Sequence, residues 1–472
     1  MKEQLIGREK ERKALQEYLC SERSEFIAVY GRRRVGKTFL IKQVIDADAS
    51  FTFTGAENVS LEEQLLNFYL CLQKYYPAAQ RCETWIESFN QLERYLESLP
   101  NGNKIVFIDE LPWLDNVRSG FVSALELFWN GWASHRTDIK LIVCGSAASW
   151  MLDNIVNDYG GLYHRVTHQI LLQPFTLAES KQYFDAYGFS YSETSVAEAY
   201  MVLGGIPYYY SLMQQGLSVA QNIDQLVIAP TGELSNEMPL LFRSLFKHSD
   251  DYVRIIEALS QKSKGLTRSE LLDATKMHNN ARFTQMLQEL ETCGFIRCFQ
   301  PYDGKKRQIT YQLIDPFVHF YYQMVVKNGL RSAHQWEQMQ NAPQFYTWAG
   351  LAFEMLCFNH IPQLLSALGI TGVKTDVYSW RTPTTAEDGA QIDMVIDRAD
   401  RCVNICEMKF TRGEYDIQKA EATKIQHRID SFARYAEPSK TLLLTMITAL
   451  GVKTNMYSSV VQKQITLHDL FQ

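Results

Sequence analysis

The sequence lacks the features that mark exported or membrane-spanning proteins. Its nine cysteines are scattered and include no C-x-x-C pair. No apolar run reaches the length of a bilayer span, and the first residues are too polar for a secretory signal. We therefore expect reduced thiols, a cytoplasmic location and no membrane partner.

A general excess of positive charge is also missing. The net charge of −6 argues against a uniformly basic nucleic-acid binder. Residues 1–245 contain 21 basic and 29 acidic side chains, whereas residues 246–320 contain 11 and 9, and residues 321–472 contain 15 and 15. The net charge of residues 246–472 therefore does not argue against binding of a polyanion. A chain of 472 residues is also too long for one core, which predicts two to four domains.

One stretch fits the phosphate-binding pattern G-x-x-x-x-G-K-[ST] at every fixed position. It consists of Gly31, Arg32, Arg33, Arg34, Val35, Gly36, Lys37 and Thr38. An apolar strand precedes it, and a helical segment starting at Phe39 follows it. Backbone N–H groups and the helix N-terminus would hold phosphates, Lys37 would reach the β- and γ-phosphates, and Thr38 would ligate Mg²⁺. The sequence thus predicts ATP and Mg²⁺ as cofactors, bound by residues 31–39.

A further buried strand begins at Lys104, and its four apolar residues, 105–108, are followed by Asp109 and Glu110. Ligands sit at the carboxyl ends of strands in open α/β sheets, so both acids are placed to act on the nucleotide. We expect Asp109 to hold Mg²⁺ and Glu110 to act as general base toward the attacking water. Ser146, which ends another buried strand, either senses the γ-phosphate or positions the water, or it is a plain turn serine. Five strands alternating with helices predict a parallel sheet.

Several motifs together resemble the archaeal-type ATPase family, an AAA-related branch close to the signal-transduction ATPases with numerous domains. They are Gly7-Arg8-Glu9, the phosphate loop, Asp109-Glu110, Gly145-Ser146, Arg165 with Pro174-Phe175, and Leu203-Gly204-Gly205-Ile206-Pro207. The resemblance implies a helical lid after the core and an oligomeric assembly as one possibility. It also implies that Arg165 touches the γ-phosphate, either within its own chain or from a neighbouring subunit. A plain surface arginine is the alternative.

Residues 246–325 predict a winged helix. Thr267 and Glu270 have the spacing of a capping box, Gly294 ends a third helix, and two strands flank the basic turn Lys305-Lys306-Arg307. Such a domain either contacts DNA through its third helix and basic wing or serves as a spacer between domains.

The last segment brings acidic residues and a lysine into one pattern. Two alternating strands, residues 391–397 and 403–409, predict an antiparallel pair in which Asp393 lies opposite Glu407, with Lys409 on the same face. Glu354, on an upstream amphipathic helix, could add a third acid. Acids that bind Mg²⁺ and a lysine that stabilises charge suit metal-dependent phosphodiester hydrolysis. The competing interpretation is a structural hairpin with a salt bridge.

These residues resemble the PD-(D/E)xK, or restriction-endonuclease-like, superfamily, with Ile392 in place of the usual proline. Asp393 matches the central aspartate, Glu407 and Lys409 the E-x-K motif, and Glu354 the helical acid. The resemblance implies a metal site formed by Glu354, Asp393 and Glu407.

We therefore predict an α/β multidomain protein. Its domains are a P-loop parallel-sheet ATPase core (1–175), a helical lid (176–245), a winged helix (246–325) and a PD-(D/E)xK nuclease-like domain (326–472). The predicted function is Mg²⁺-dependent ATP hydrolysis used as a conformational switch in a DNA-related or defence process. The alternatives are an ATP-gated, metal-dependent DNA nuclease and a non-catalytic interaction module with a degenerate nuclease fold.

Overall fold

The computed structural model describes residues 4–45, 48–116, 119–156, 164–246, 248–300, 302, 309–382, 389–436 and 439–472. The chain forms two compact units, Met1–Pro174 and Phe175–Gln472. The basic turn Lys305-Lys306-Arg307 lies outside the described residues. Within them, no helix is both long enough and apolar enough to cross a lipid bilayer.

The first unit is built on a five-stranded sheet in which every pair of neighbouring strands is parallel. Its strands are β1 (Glu25–Tyr30), β2 (Ala49–Thr54), β3 (Lys104–Asp109), β4 (Ile139–Gly145) and β5 (His168–Leu171), in the order β2-β3-β4-β1-β5. Its helices are α1 (Glu9–Leu19), α2 (Lys37–Ile45), α3 (Leu61–Tyr75), α4 (Trp85–Ser98), α5 (Phe121–Gly131) and α6 (Ala148–Met151).

The central strands of this sheet are buried along their whole length. Every residue of β1, β3 and β4 is buried, as their near-continuous apolar sequences require when helices cover a parallel sheet on both faces. The predicted parallel-sheet core is confirmed. Because the strands are parallel, the segments that follow Tyr30, Asp109 and Gly145 all leave the sheet at one edge.

The second unit begins with helices. They are α7 (Leu177–Ala186), α8 (Glu193–Leu203), α9 (Pro207–Ser211), α10 (Val219–Ile223) and α11 (Glu237–Leu245). The turn between α8 and α9 contains Gly204 and Gly205, both with positive φ. A Cβ on Gly205 would lie 2.4 Å from the carbonyl oxygen of Phe175, so only glycine fits this turn. That these helices form a lid stays a prediction.

A group of helices with a small antiparallel sheet follows. Its elements are α12 (Ser249–Ser260), β6 (Leu266–Thr267), α13 (Arg268–Thr275), α14 (Ala281–Thr292), β7 (Ile296–Phe299) and β8 (Thr310–Leu313). The sheet has the order β6-β8-β7. Thr267 caps α13, with both bonds of the predicted capping box to Glu270 present. We call residues 249–313 the hairpin segment. A winged helix is consistent with this element order and stays a prediction.

The chain ends in an α/β region, as predicted, and its five-stranded sheet is mixed. Its helices are α15 (Pro316–Phe320), α16 (Gln335–Met339), α17 (Pro343–Asn359), α18 (Ile361–Ala367) and α19 (Lys419–Ala436), and its strands are β9 (Thr375–Arg381), β10 (Gln391–Arg398), β11 (Cys402–Lys409), β12 (Thr441–Thr448) and β13 (Lys463–Thr466). Strands β9, β10 and β11 pair antiparallel, whereas β11, β12 and β13 pair parallel. Phe432 of α19 packs against Trp380 of β9, which fixes the helix on the sheet.

Candidate functional site

The phosphate loop connects β1 to α2 in a conformation that depends on glycine. Gly31 has φ 145°, and a Cβ there would lie 2.4 Å from the carbonyl oxygen of Leu172. Gly36 has φ 92°. The Lys37 side chain is buried, and its Nζ donates hydrogen bonds to the carbonyl oxygens of Gly31 (3.0 Å) and Arg32 (2.9 Å). The ammonium group is therefore held inside the loop, where it can neutralise phosphate.

The two oxygen ligands predicted for Mg²⁺ are in contact with each other. Thr38 Oγ1 donates to Asp109 Oδ2 at 2.9 Å, although the two residues are 71 positions apart. The sheet order explains this contact, because only β4 separates the strand before the loop from the strand that ends at Asp109. A hydroxyl and a carboxylate are hard oxygen ligands of the kind that Mg²⁺ takes beside substrate phosphates, so the donor set fits this ion.

Glu110 is held by Ser146. Its Oε2 accepts hydrogen bonds from the Ser146 hydroxyl (2.9 Å) and the Ser146 backbone N–H (3.3 Å). Glu110 has φ 50°, in the left-handed region, which turns the chain sharply after β3. Burial raises the pKa of Glu110, whereas the charge of Lys37 lowers it. A raised pKa brings a carboxylate closer to the range in which it can take a proton from water.

The N-terminal turn also reaches the phosphate loop. Arg8 is buried, and its Nη2 donates to the carbonyl oxygen of Val35 at 3.3 Å. Both Gly7 and Arg8 have positive φ, so the turn that places this contact is tight. Neither Arg8 nor the Ser146 partnership with Glu110 was among the predicted site residues. The Gly-Arg-Glu motif was the available signal for Arg8.

Arg165 does not lie at the nucleotide edge of the sheet within its own chain. It precedes β5, and β5 runs parallel to β1 with His168 beside Ile27. Arg165 therefore lies toward the start of β1, whereas the phosphate loop leaves the end of that strand. Each strand residue advances about 3.3 Å, so the two ends are roughly 15 Å or more apart. The expectation of contact within one chain is corrected on this ground. Arg165 is exposed, and contact from a neighbouring subunit stays a prediction.

In the second unit, the predicted strand pair has the expected register. Met394 pairs with Cys406 and Asp397 with Val403, and extending this register by one pair places Asp393 opposite Glu407. Glu354 on α17 interacts electrostatically with both acids. Burial, followed by the charge of Asp393, raises the pKa of Glu354 to about 8. The carboxylates of Glu354, Asp393 and Glu407 thus interact electrostatically, as the sequence pattern predicts.

Basic side chains hold the Glu407 carboxylate. Its Oε2 accepts a hydrogen bond from Arg428 Nη1 at 2.8 Å and lies 3.7 Å from Lys409 Nζ. Lys409 Nζ also lies 3.6 Å from Glu421 Oε1, and Asp393 accepts a hydrogen bond from Gln391. In the part of the chain that the structure describes, no group of three Asp, Glu, His or Cys side chains is placed to hold a metal. The predicted set of Glu354, Asp393 and Glu407 is therefore not arranged as a metal site in this form.

A cleft of about 1200 Å³ lies between the hairpin segment and the C-terminal sheet. Among the residues that line it are Lys264, Glu354, Arg381, Asp393, Lys424 and Arg428. Arg297 of β7 packs over the ring of Phe358, one turn beyond Glu354 on α17, at 3.5 Å from the ring centroid. The hairpin segment is thus in direct contact with the helix that carries Glu354.

Known proteins match the chain over its N-terminal part and beyond. Residues 5–213 match the family described as "ATPase domain predominantly from Archaea". An uncharacterised protein of Methanocaldococcus jannaschii is 27% identical over 330 residues, which cover 68% of this chain and 69% of the relative.

Among solved structures, a Walker-type ATPase of Pyrococcus abyssi is 22% identical, with a TM-score of 0.46, and the match covers 67% of this chain and 95% of the other. The ORC2 protein of Aeropyrum pernix is 14% identical with a TM-score of 0.42, over 66% of this chain and 91% of the other. Residues 5–213 are thus similar to ATPase domains of the archaeal type.

Proposed function

We propose that this protein is an ATP-operated switch that hydrolyses ATP slowly with Mg²⁺ and acts in a DNA-related or defence process. The contact between Thr38 and Asp109 carries the proposal, because it joins the phosphate loop to the acid that Mg²⁺ requires. When bound, Mg²⁺ would supply charge neutralisation at the phosphates. Lys37 would bind the phosphates. Glu110 would accept a proton from water once its hydrogen bonds with Ser146 are broken.

The two hydrogen bonds from Ser146 to Glu110 support slow, switch-like turnover of ATP. Both hydrogen bonds from Ser146 go to Oε2 of Glu110, so this oxygen is not available to orient a water molecule. A γ-phosphate at this edge would compete for the same hydroxyl and N–H donors of Ser146. Arrival of the nucleotide would then free the base.

Two substitutions test the proposal. Lys37→Ala should abolish ATP binding, because it removes a buried ammonium group that would neutralise the phosphates. Glu110→Gln should still bind ATP but turn it over at least about 100-fold more slowly. Titration calorimetry measures the binding, and phosphate release measures the turnover.

Lys42→Ala is the matched control, because Lys42 is an exposed lysine of the same helix. Equal turnover by wild type and Glu110→Gln would refute the base assignment. Unchanged ATP affinity in Lys37→Ala would refute the loop assignment.

The C-terminal cleft favours a second candidate, ATP-gated DNA cleavage. Glu354 and Asp393 line the cleft, and Lys264, Arg381 and Lys424 add positive charge that suits a phosphate backbone. A non-catalytic binding surface is the remaining alternative. A cleavage assay on several DNA forms with Mn²⁺, with and without ATP, separates the two, since only the first predicts products that disappear in Asp393→Asn.

A further inference from the structure

A buried amide side chain lies beside the turn that carries Glu110. Gln64 of α3 is fully buried, a position in which an amide without hydrogen bonds would be costly. Its Nε2 donates hydrogen bonds to the carbonyl oxygens of Ala56 (2.6 Å) and Trp113 (3.0 Å), and its Oε1 accepts one from the Ala56 N–H (3.2 Å). The amide therefore joins the segment that follows β2 to the segment that follows β3.

The Trp113 carbonyl group belongs to the same turn as Glu110. This turn is a short 3₁₀ helix, Leu111–Trp113, and the Trp113 N–H donates to the carbonyl oxygen of Glu110 at 3.0 Å. Glu110 itself has φ 50° and ψ 48°, a left-handed conformation that is costly for a glutamate and persists where surrounding contacts impose it. The hydrogen bond from Gln64 to the end of the turn is such a contact.

The segment after β2 also contacts Glu110 through Gly55. The Gly55 N–H donates to the carbonyl oxygen of Asp109 at 3.0 Å. A Cβ on Gly55 would lie 2.9 Å from the carbonyl oxygen of Glu110, so the two main chains are packed closely. Strand β3 lies between β2 and β4. The main chain of Glu110 is therefore held from the β2 side, and its carboxylate is held by Ser146 from the β4 side.

We propose that Gln64 is a positioning residue for ATP hydrolysis, which fixes the turn after β3 so that the Glu110 carboxylate is directed at the attacking water. Gln64 acts through main-chain atoms of the turn, so it should control the rate of turnover and not the affinity for nucleotide. A displacement of about 1 Å can cost a reaction about 100-fold in rate. This inference rests on the proposed role of Glu110 as general base.

Kinetics of the full chain test this role. Gln64→Met keeps the length of the side chain but removes the hydrogen bonds of the amide. Its kcat for ATP with Mg²⁺, measured by phosphate release, should fall at least about tenfold. Its Kd for a non-hydrolysable ATP analogue, measured by titration calorimetry, should stay unchanged. Gln73→Met is the matched control, the same substitution at an exposed position of the same helix, and should change neither quantity.

A double variant separates positioning from a general loss of stability. In Glu110→Gln the base is already missing, so the addition of Gln64→Met should slow turnover no further. A further fall in kcat would overturn the proposal, because Gln64 would then act through a group other than Glu110. A glutamine that served only packing would lower the melting temperature of Gln64→Met and leave the kcat of the folded protein unchanged, which would also overturn it.

Gly55→Ala disturbs the same turn while Gln64 stays in place, and it keeps the proposal testable if Gln64→Met does not fold. The added Cβ would displace the Glu110 carbonyl group, so kcat should again fall at least about tenfold with unchanged affinity for the analogue. Gly131→Ala is its control, because a Cβ there would have no atom of the described residues within 4 Å outside its own stretch of helix. A wild-type kcat in Gly55→Ala would overturn the proposal.

The outcome for Glu110→Gln distinguishes the two levels of the argument. If Glu110→Gln turns over ATP as fast as wild type, the assignment of the base fails, and the role of Gln64 fails with it. If Glu110→Gln is slow while Gln64→Met is as fast as wild type, the base assignment stands and the positioning role alone fails.

Discussion

At the scale of single residues, one carboxylate, Asp138, stabilises the edge of the first sheet that lies opposite the phosphate loop. Asp138 accepts two hydrogen bonds from Arg136, both 2.8 Å long, and pairs with Lys104 at the start of β3. The Lys104 side chain is only 5% exposed. Asp138 therefore compensates a buried ammonium group, which would be costly to leave alone.

Asp138→Asn should lower the free energy of unfolding by about 2 kcal/mol, because the neutral amide leaves the Lys104 charge uncompensated. Urea denaturation measures the change. Glu62→Gln is the control, since it removes an exposed pair with Arg81 and should cost no more than about 0.5 kcal/mol. Equal costs for the two substitutions would contradict the role of Asp138.

The same carboxylate predicts a pH dependence of stability. The hydrogen bonds from Arg136, followed by the bond from Lys104, hold the pKa of Asp138 well below its unfolded value of about 4. Its contribution to stability is thus fully present above about pH 4 and is lost as the pH falls toward the folded pKa. Asp138→Asn should lack this part of the acid dependence.

At the scale of elements, the position of β5 decides how Arg165 can act. Arg165 precedes a strand that starts beside Ile27, so it lies away from the phosphate loop of its own chain. A role at the γ-phosphate then requires a second subunit. Of the three possibilities that the sequence left open, two then remain: contact from a neighbouring subunit and a plain surface arginine.

Mixing variants tests contact in trans. Arg165→Ala alone should hydrolyse ATP at least about tenfold more slowly, since an arginine that reaches the transferring phosphoryl group contributes far more than that in other enzymes. Adding inactive Lys37→Ala protein should restore phosphate release, because its intact Arg165 can serve the intact loop of the partner. A mixture of Glu110→Gln and Lys37→Ala should stay inactive. Full activity of Arg165→Ala alone would indicate a plain surface arginine.

The elements also show what a sequence can predict and what it cannot. Local patterns were sufficient for the apolar strand before Asp109 and for the register between β10 and β11, because a turn centred on Asp400 fixes which residues face each other. Partners from distant segments were not predictable. Arg428 meets Glu407 from 21 residues away, and Ser146 meets Glu110 from 36, only because a helix or a neighbouring strand packs there.

At the scale of the whole molecule, the contacts divide the chain after Pro174. The phosphate loop, Asp109, Glu110 and Ser146 all belong to the first unit, whereas the C-terminal cleft belongs to the second. Among the described residues, the first unit contains one sheet and the second unit two, and each unit has its own buried residues. Ligands of the two sites should therefore stabilise different parts of the molecule.

Calorimetry of the full chain should resolve two unfolding transitions, and a non-hydrolysable ATP analogue with Mg²⁺ should move only one. A ligand at 100 times its dissociation constant stabilises the unit that binds it by about 2.7 kcal/mol. For a unit of this size, that energy corresponds to a shift of roughly 5 to 10 °C. Lys37→Ala should show the same two transitions without the shift. A single transition that moves as a whole would mean that the two units unfold as one cooperative block, and a local effect of nucleotide on the first unit would then be excluded.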